Sequence, residues 1–214
     1  MFPQSLVTLL TAGAVAAQAA SGEVNHTFWY LSRVAGLCAY VMLVANMAVG
    51  IALSVPLLER WVLKWRIFDL HQFTGLMLVG LLLLHLFALL GDAYMGYTVP
   101  QLLVPFLSTY RPLPVAIGVL AFYLTLVVTF TFYVRQQIGQ RTWRVIHYGS
   151  FAVFALSLLH GTLSGTDTGT TWAIAIYGVS AALIGGLTWW RFSAAGSPPR
   201  RTAAERPVRP LRAA

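Results

Sequence analysis

FDLHQFTGLMLVGLLLLHLFALLG, residues 68–91, is an apolar stretch long enough to cross a lipid bilayer as one helix. A transmembrane helix needs about 20 apolar residues to span a hydrocarbon core about 30 Å thick. The 214-residue chain is 58% hydrophobic and only 9% charged, whereas a soluble domain carries about 25% charged residues. Its apolar runs are continuous rather than alternating, which argues against a β-barrel. The sequence predicts an all-α polytopic transmembrane bundle of five or six helices, with further apolar segments at 5–20, 28–57, 113–134, 144–163 and 171–190.

The formal net charge of +8 is explained by membrane topology rather than by a nucleic-acid partner. All Lys and Arg residues except Arg33 and Arg111 fall in the ranges 60–66, 135–144 and 191–212, which flank apolar segments. The positive-inside rule assigns such basic regions to the cytoplasmic face, where they also contact membrane lipid. We therefore predict a bacterial inner-membrane protein with a cytoplasmic C-terminus, in which segments 68–91 and 144–163 run parallel.

The domain organisation follows from the same pattern. Residues 1–25 hold an apolar segment that is either a first transmembrane helix or a signal peptide, because Ala17-Gln18-Ala19 resembles a cleavage site but no basic residue precedes it. Residues 26–192 form the transmembrane domain. Residues 99–112 are too short to span and are predicted to lie at the interface or re-enter the membrane. Residues 193–214 are predicted to be a disordered basic cytoplasmic tail.

Four of the five histidines lie in two of the apolar segments. His71 and His85 are 14 residues apart, and His147 and His160 are 13 apart. At 1.5 Å per residue, each pair covers about 20 Å along its helix axis. Because the two segments run parallel, we expect His71 to face His147 on the inner side and His85 to face His160 on the outer side.

This pattern favours two b-type haems, one ligated by His71 and His147 and the other by His85 and His160. Neutral imidazole is a common axial ligand of haem iron, and ionisable residues within a membrane are functional more often than not. The alternative is that the histidines make interhelical hydrogen bonds. A 13-residue spacing rotates the second ligand by about 140° on an ideal helix. That helix must therefore be overwound, kinked, or placed so that its haems approach from different sides.

Five further residues are candidates for binding the haems. Arg33 could pair with an outer propionate or could snorkel to the interface. Arg66 and Arg144 could bind the propionates of the inner haem, although topology already accounts for both. Gly75 and Gly149 lack a side chain, which could make room for the face of a porphyrin or could allow close packing of two helices.

Several motifs carry a resemblance to a known family: SRVAG at 32–36, DLHQFTG at 69–75, LLVPFLSTYRP at 102–112, RTWRVIHYGSF at 141–151 and GTD at 165–167. Over about residues 28–192 the chain resembles the ferric reductase-like transmembrane domain family. That family includes the membrane parts of ferric reductases and NADPH oxidases and the haem subunit of methionine-sulfoxide reductase systems. The resemblance implies the same four histidine ligands, with Arg33 near a haem propionate.

One departure from this family concerns the electron donor. Ferric reductases and NADPH oxidases carry a flavin and nicotinamide domain, but this sequence ends at Ala214 and has no Gly-rich dinucleotide fingerprint. The resemblance is therefore to stand-alone bacterial members, each the haem-bearing membrane component of an oxidoreductase served by a separate donor.

Three functional hypotheses remain open at this point. The first is transmembrane electron transfer from a cytoplasmic flavoprotein or a membrane quinol to an acceptor on the outer face. The second is a quinol-oxidising cytochrome b subunit, with quinone as an additional cofactor and a periplasmic reductase as its protein partner. The third, from a different class, is a proton or metal transporter that uses the intramembrane histidines.

Overall fold

A computed structural model of the chain describes residues 26–54 and 63–195, and these residues form helices with no strand among them. The segment predicted at 5–20 and the tail from residue 196 lie outside the described residues. Residues 193–195, assigned above to the tail, belong to the last helix. The helices are α1 Thr27–Leu53, α2 Lys64–Gly91, α3 Val99–Leu103, α4 Pro112–Phe130, α5 Arg135–Ile138, α6 Gln140–His147, α7 Gly149–Ser164 and α8 Thr171–Ala195.

Five stretches of helix are long and apolar enough to cross a membrane, which confirms the predicted all-α class and the transmembrane character. They are α1, α2, α4, the combined α6–α7 stretch and α8. Large apolar side chains cover the outside of the bundle; Phe73 and Phe87 of α2, for example, are 60% and 63% exposed. Such a surface suits lipid, which solvates apolar side chains as well as a protein core does.

The bundle is built from two antiparallel helix pairs. In the first pair, Gly36 of α1 lies against His85 of α2, and Gly50 lies against His71. In the second pair, Gly118 of α4 lies against the ring of His160, near the end of α7. One buried cluster then joins all five spanning stretches: Ala39, Leu43 and Met47 from α1, Leu78 from α2, Val128 from α4, Val153 from α7 and Ile184 from α8.

The ends of the shorter elements follow local sequence signals. Pro112 occupies the first position of α4, where its missing N–H costs no hydrogen bond. Arg111 precedes it in the left-handed region at φ 44°, an uncommon conformation for a residue with a side chain. Gly139, at φ 83°, forms the turn between α5 and α6. The interfacial stretch predicted at 99–112 contains only the single short helix α3.

A buried hydroxyl pair connects α1 with α8. The oxygens of Tyr40 and Ser180 are 2.5 Å apart, and Ser180 also donates to the carbonyl oxygen of Tyr177 at 2.9 Å. Since the serine proton is used in that bond, the Tyr40 hydroxyl must be the donor to Ser180. Tyr40 also packs edge-on against the Tyr177 ring, at 5.1 Å between centroids.

Replacing Tyr40 with phenylalanine should therefore destabilise the bundle only modestly. The change removes one donor and leaves Ser180 bonded to the Tyr177 carbonyl, and hydrogen bonds inside membranes average about 0.6 kcal/mol with a maximum of about 1.7 kcal/mol. Unfolding in mixed detergent micelles measures the loss. Ser180→Ala, which removes the acceptor, serves as the paired variant. A loss well above 2 kcal/mol for Tyr40→Phe would show that the ring position, and not only the bond, depends on the hydroxyl.

Candidate functional site

The four intramembrane histidines come together as two pairs at different depths of the bundle. The rings of His71 and His147 have centroids 6.0 Å apart and planes inclined at 74°. A metal–imidazole bond is about 2 Å long, so two rings on opposite sides of one metal have centres about 6 Å apart. The separation of this pair is thus compatible with a shared metal.

The second pair, His85 and His160, lines a cavity of about 660 Å³. Sites for drug-sized ligands and cofactors have volumes of about 300–1,000 Å³, so this cavity is of cofactor size. It is lined mainly by apolar side chains from α1, α2, α4 and α7, with polar groups towards the loops that follow α2 and α7. Since α2 thus shares one pair at each depth with the α6–α7 stretch, the two run parallel.

Backbone carbonyls hold three of the four imidazoles by the Nδ1 atom. His85 Nδ1 lies 2.7 Å from the Ser32 oxygen, and His160 Nδ1 lies 2.8 Å from the Pro114 oxygen. His71 makes the same contact with the Asn46 oxygen at 3.2 Å. A carbonyl oxygen can only accept, so Nδ1 must carry the proton in each ring. The lone pair then resides on Nε2, and this tautomer is the one that binds a metal through Nε2.

A glycine faces each of these three imidazoles from the neighbouring helix. A Cβ added at Gly36 would lie 3.0 Å from His85 Nδ1, and one added at Gly50 would lie 3.0 Å from His71 Cε1. At Gly118 the added Cβ would come within 2.6 Å of the His160 ring. The missing side chains are what allow the rings to reach the backbone. Sequence reasoning missed these glycines as site residues, although Gly36 and Gly50 repeat the 14-residue spacing of His71 and His85.

His147 differs from the other three histidines. Its Nδ1 is buried and has no hydrogen-bond partner among residues 26–54 and 63–195. Its ring stacks on Trp143 instead, with centroids 5.1 Å apart and planes inclined at 29°.

The chain also departs from regular helix immediately after His147. Tyr148 separates α6 from α7 with φ −62° and ψ −18°, and its carbonyl accepts from the Phe151 N–H in an i to i+3 bond of 3.2 Å. These values are close to those of a 3₁₀ turn, which rotates more per residue than an α-helix does. The kink and the approach of the haems from different sides, the other two arrangements for the 13-residue spacing, stay predictions. The turn at Tyr148 is a local overwinding that adds about 20° per residue to the rotation of an α-helix, a small part of the 140°. It reduces the rotation that would otherwise separate His147 from His160.

At the polar end of the cavity, helix α1 contacts the loop that follows α7. Arg33 forms a salt bridge with Asp167, donates to Thr166 Oγ1, and lies 4.2 Å over the Trp29 ring. Arg33 thus lines the cavity with its charge already partnered by a carboxylate, an arrangement other than the two anticipated from sequence. Binding of a propionate by Arg33 stays a prediction, and a propionate there would share the guanidinium with Asp167.

Two other residues at this end were not expected from the sequence. Arg111 lines the cavity and donates to the Leu163 oxygen at 2.9 Å, which ties the start of α4 to the end of α7. Tyr97, in the loop after α2, also lines it. Burial raises the pKa of the Tyr97 phenol, partly opposed by its hydrogen bond to Ser108, so this hydroxyl is protonated at neutral pH.

The remaining candidates from the sequence lie at the margins of the two pairs. Arg66 is exposed, with its guanidinium 5.2 Å from the Trp65 ring centre, and Arg144 is also exposed. Gly75 is buried on α2, where an added Cβ would meet the Asn46 amide at 3.5 Å. Gly149 faces Leu124 and Val128 of α4 at 3.4 to 4.0 Å. The contacts of both glycines are those of close helix packing, while their proposed role at a porphyrin face stays a prediction.

The donor set at each depth is a pair of imidazoles. Within residues 26–54 and 63–195, no three or more His, Cys, Asp or Glu side chains lie close enough together to hold a metal ion. A haem iron takes four ligands from its porphyrin and needs only two axial ligands from the protein. His85 and His160 line the apolar cavity, and because their Nδ1 atoms bond to carbonyls, their Nε2 atoms could supply two such ligands.

No family model matches the sequence, and no curated protein or solved structure matches it either.

Proposed function

We propose that this protein transfers electrons across a membrane through two b-type haems, one between His71 and His147 and the other between His85 and His160. The observation that carries the proposal is a set of three hydrogen bonds. In each, the Nδ1 atom of an imidazole donates to a backbone carbonyl oxygen, at distances of 2.7 to 3.2 Å. A histidine that served only to join two helices would need no partner histidine at the same depth. Here each one has such a partner.

The bound haems would supply the one-electron chemistry, and the chain would supply position and surroundings. With two histidines holding each haem, the group would supply electron transfer rather than binding of oxygen or substrate. The neutral, Nδ1-protonated imidazoles place no extra charge in the apolar interior. The cluster of Ala39, Leu43, Leu78 and Val153 is apolar and lies between the spanning helices, where it would limit the entry of water.

The direction of transfer rests on the basic segments. We assign the ends at 60–66 and 135–144 to the cytoplasm of a bacterial cell and the cavity of His85 and His160 to the outer side. The donor is then a cytoplasmic flavoprotein or a membrane quinol, and the acceptor lies outside. In this proposal the chain is the membrane component of an oxidoreductase of the ferric reductase-like type.

A dithionite-reduced minus air-oxidised spectrum of the purified protein, with haem quantified per chain, tests the proposal. We expect the bands of low-spin b-type haem and about two haems per chain after expression with added haem precursor. Reduction by a quinol in the presence of membranes would favour the quinol as donor. Protein that folds but carries no haem would contradict the proposal and turn attention to proton or metal transport.

A further inference from the structure

A hydrogen bond between α3 and α4 fixes the depth of the segment that joins α2 to α4. The Tyr123 hydroxyl donates to the carbonyl oxygen of Leu103, the last residue of α3, at 2.7 Å. Tyr123 lies roughly three turns, about 16 Å, along α4 from its first residue, Pro112. A helical side chain points back towards the N-terminus of its helix, and a tyrosine covers roughly one turn in that direction. The Leu103 carbonyl therefore lies roughly two turns, about 10 Å, inwards from the start of α4.

The start of α4 lies near the edge of the hydrocarbon region. The helix has 19 residues, Pro112–Phe130, and is one of the five stretches apolar enough to cross a membrane. Its length of about 28 Å matches a hydrocarbon core about 30 Å thick. Arg111 and Arg135 flank the helix, and no charged residue lies between them. A carbonyl about 10 Å inwards from the start of α4 is thus inside the leaflet on the cavity side of the bundle.

The side chains of the joining segment suit such a position. None of residues 93–110 is charged. Close to the bonded carbonyl, Val104 is 49% exposed, Phe106 64% and Leu107 50%. Phe106 also holds a φ of 67°, an uncommon conformation for a residue with a large side chain. Contiguous apolar side chains are unfavourable in water, whereas acyl chains would cover them.

The backbone of the segment has partners where the apolar side chains are exposed. Irregular backbone inside a membrane is costly unless its polar groups are bonded, because hydrocarbon offers them nothing. The Val104 N–H donates to the Pro100 carbonyl at 2.8 Å, and the Leu107 N–H donates to the Val104 carbonyl at 3.3 Å. Tyr123, itself 42% exposed on α4, supplies the partner of the Leu103 carbonyl.

We propose that residues 98–110 form a re-entrant segment whose exposed face binds lipid acyl chains and whose buried face lines the cavity of His85 and His160. Leu102 is 4% exposed and lines that cavity. The sequence left two positions open for this stretch, at the interface or within the membrane. The bond from Tyr123 favours the position within the membrane.

Cysteine labelling of the full-length protein tests this depth, in lipid nanodiscs that hold one chain each and in a Cys38→Ala background. Val104→Cys should react with a charged maleimide as slowly as Leu120→Cys, which lies at a similar depth on the exposed face of α4. Tyr94→Cys should react fast, because Tyr94 is 76% exposed just after α2 and the reactive thiolate forms in water. A bimane fluorophore at residue 104 should also be quenched by lipids that carry a nitroxide on the acyl chain.

Tyr123→Phe tests the bond that holds the segment. The variant leaves the Leu103 carbonyl without its partner, so the segment should move towards water, where that oxygen can be solvated. Val104→Cys should then react faster and approach the rate of Tyr94→Cys. Tyr133→Phe makes the same change at an exposed tyrosine just beyond α4 and should leave the rate unchanged.

The outcomes separate lipid from other surroundings. Fast reaction of Val104→Cys with Tyr123 intact would place the segment in water and overturn the inference. Slow reaction without quenching by the nitroxide lipids would show that protein covers this face, and would overturn it as well. An unchanged rate in Tyr123→Phe would overturn the role of the hydroxyl. None of these measurements reads haem, so protein without haem would contradict electron transfer alone.

Discussion

Replacing His160 with alanine is expected to halve the haem content, from about two haems to about one per chain, while the bundle stays folded. His160 supplies one of the two axial ligands proposed for the outer haem, and alanine offers no atom to replace it. The inner site of His71 and His147 lies at the other end of the α6–α7 stretch and should keep its haem. A reduced-minus-oxidised spectrum with haem quantified per chain measures the loss.

The size of the effect separates a haem ligand from a histidine that only joins two helices. His160 Nδ1 binds the Pro114 carbonyl at 2.8 Å, and if that were its whole role, alanine would remove a bond worth about 0.6 kcal/mol, together with the packing of the ring. Such a loss would leave the absorption spectrum unchanged. His26→Ala is the matched control, because His26 is exposed and lies before α1. Two haems retained in His160→Ala would show that His160 is not a ligand.

Gly118→Ala is expected to have the second largest effect, because a single added methyl group reaches the same site from the opposite helix. The new Cβ would lie 2.6 Å from the His160 ring, closer than carbon atoms approach without movement. The ring cannot retreat while it stays bonded to the Pro114 carbonyl. We expect the outer haem to be lost and the protein to be destabilised by about 1–3 kcal/mol, the usual range for overpacking.

A graded series of glycine substitutions makes this prediction specific. Gly178→Ala on α8 is the matched control, since an added Cβ there meets nothing within 4 Å, and alanine favours helix over glycine by up to about 1 kcal/mol. Gly36→Ala should lie between the two, because its added Cβ would be 3.0 Å from His85. Haem content and thermal unfolding in detergent rank the variants. Full haem content in Gly118→Ala would mean that His160 can bind a metal from another position.

The class of the fold and the depth of the histidines could be predicted from the sequence because both depend on local properties. Length and apolarity decide whether a segment can span a bilayer, and a rise of 1.5 Å per residue converts spacing into depth. The described helices α1, α2, α4 and α8 accordingly cover most of the predicted segments. The position of His71 beside His147 follows from depth together with the parallel direction of the two segments.

The turn at Tyr148, between α6 and α7, depends on more than these local properties. The 13-residue spacing of His147 and His160 left three arrangements open. Ideal helix geometry shows only that the helix, or the placement of the haems, must differ from the simplest arrangement. The φ and ψ values of Tyr148, and its bond to Phe151, identify a tight turn next to His147. The Gly149-Ser150 pair next to Tyr148 is a sequence signal for an irregular helix, but it does not show in which direction the helix departs from ideal geometry.

The sequence by itself determined that this is a membrane-spanning helical protein with four histidines at two depths. Only the tertiary structure decided which backbone each histidine contacts, that Gly36, Gly50 and Gly118 make those contacts possible, and that Arg33 pairs with Asp167. The physical reason is the solvent. In water an apolar stripe marks the face of a helix that is buried, but in lipid apolar residues cover both the outer and the packed faces. Periodicity therefore does not show which residues meet, and the contacts that build the site arise only when the helices pack.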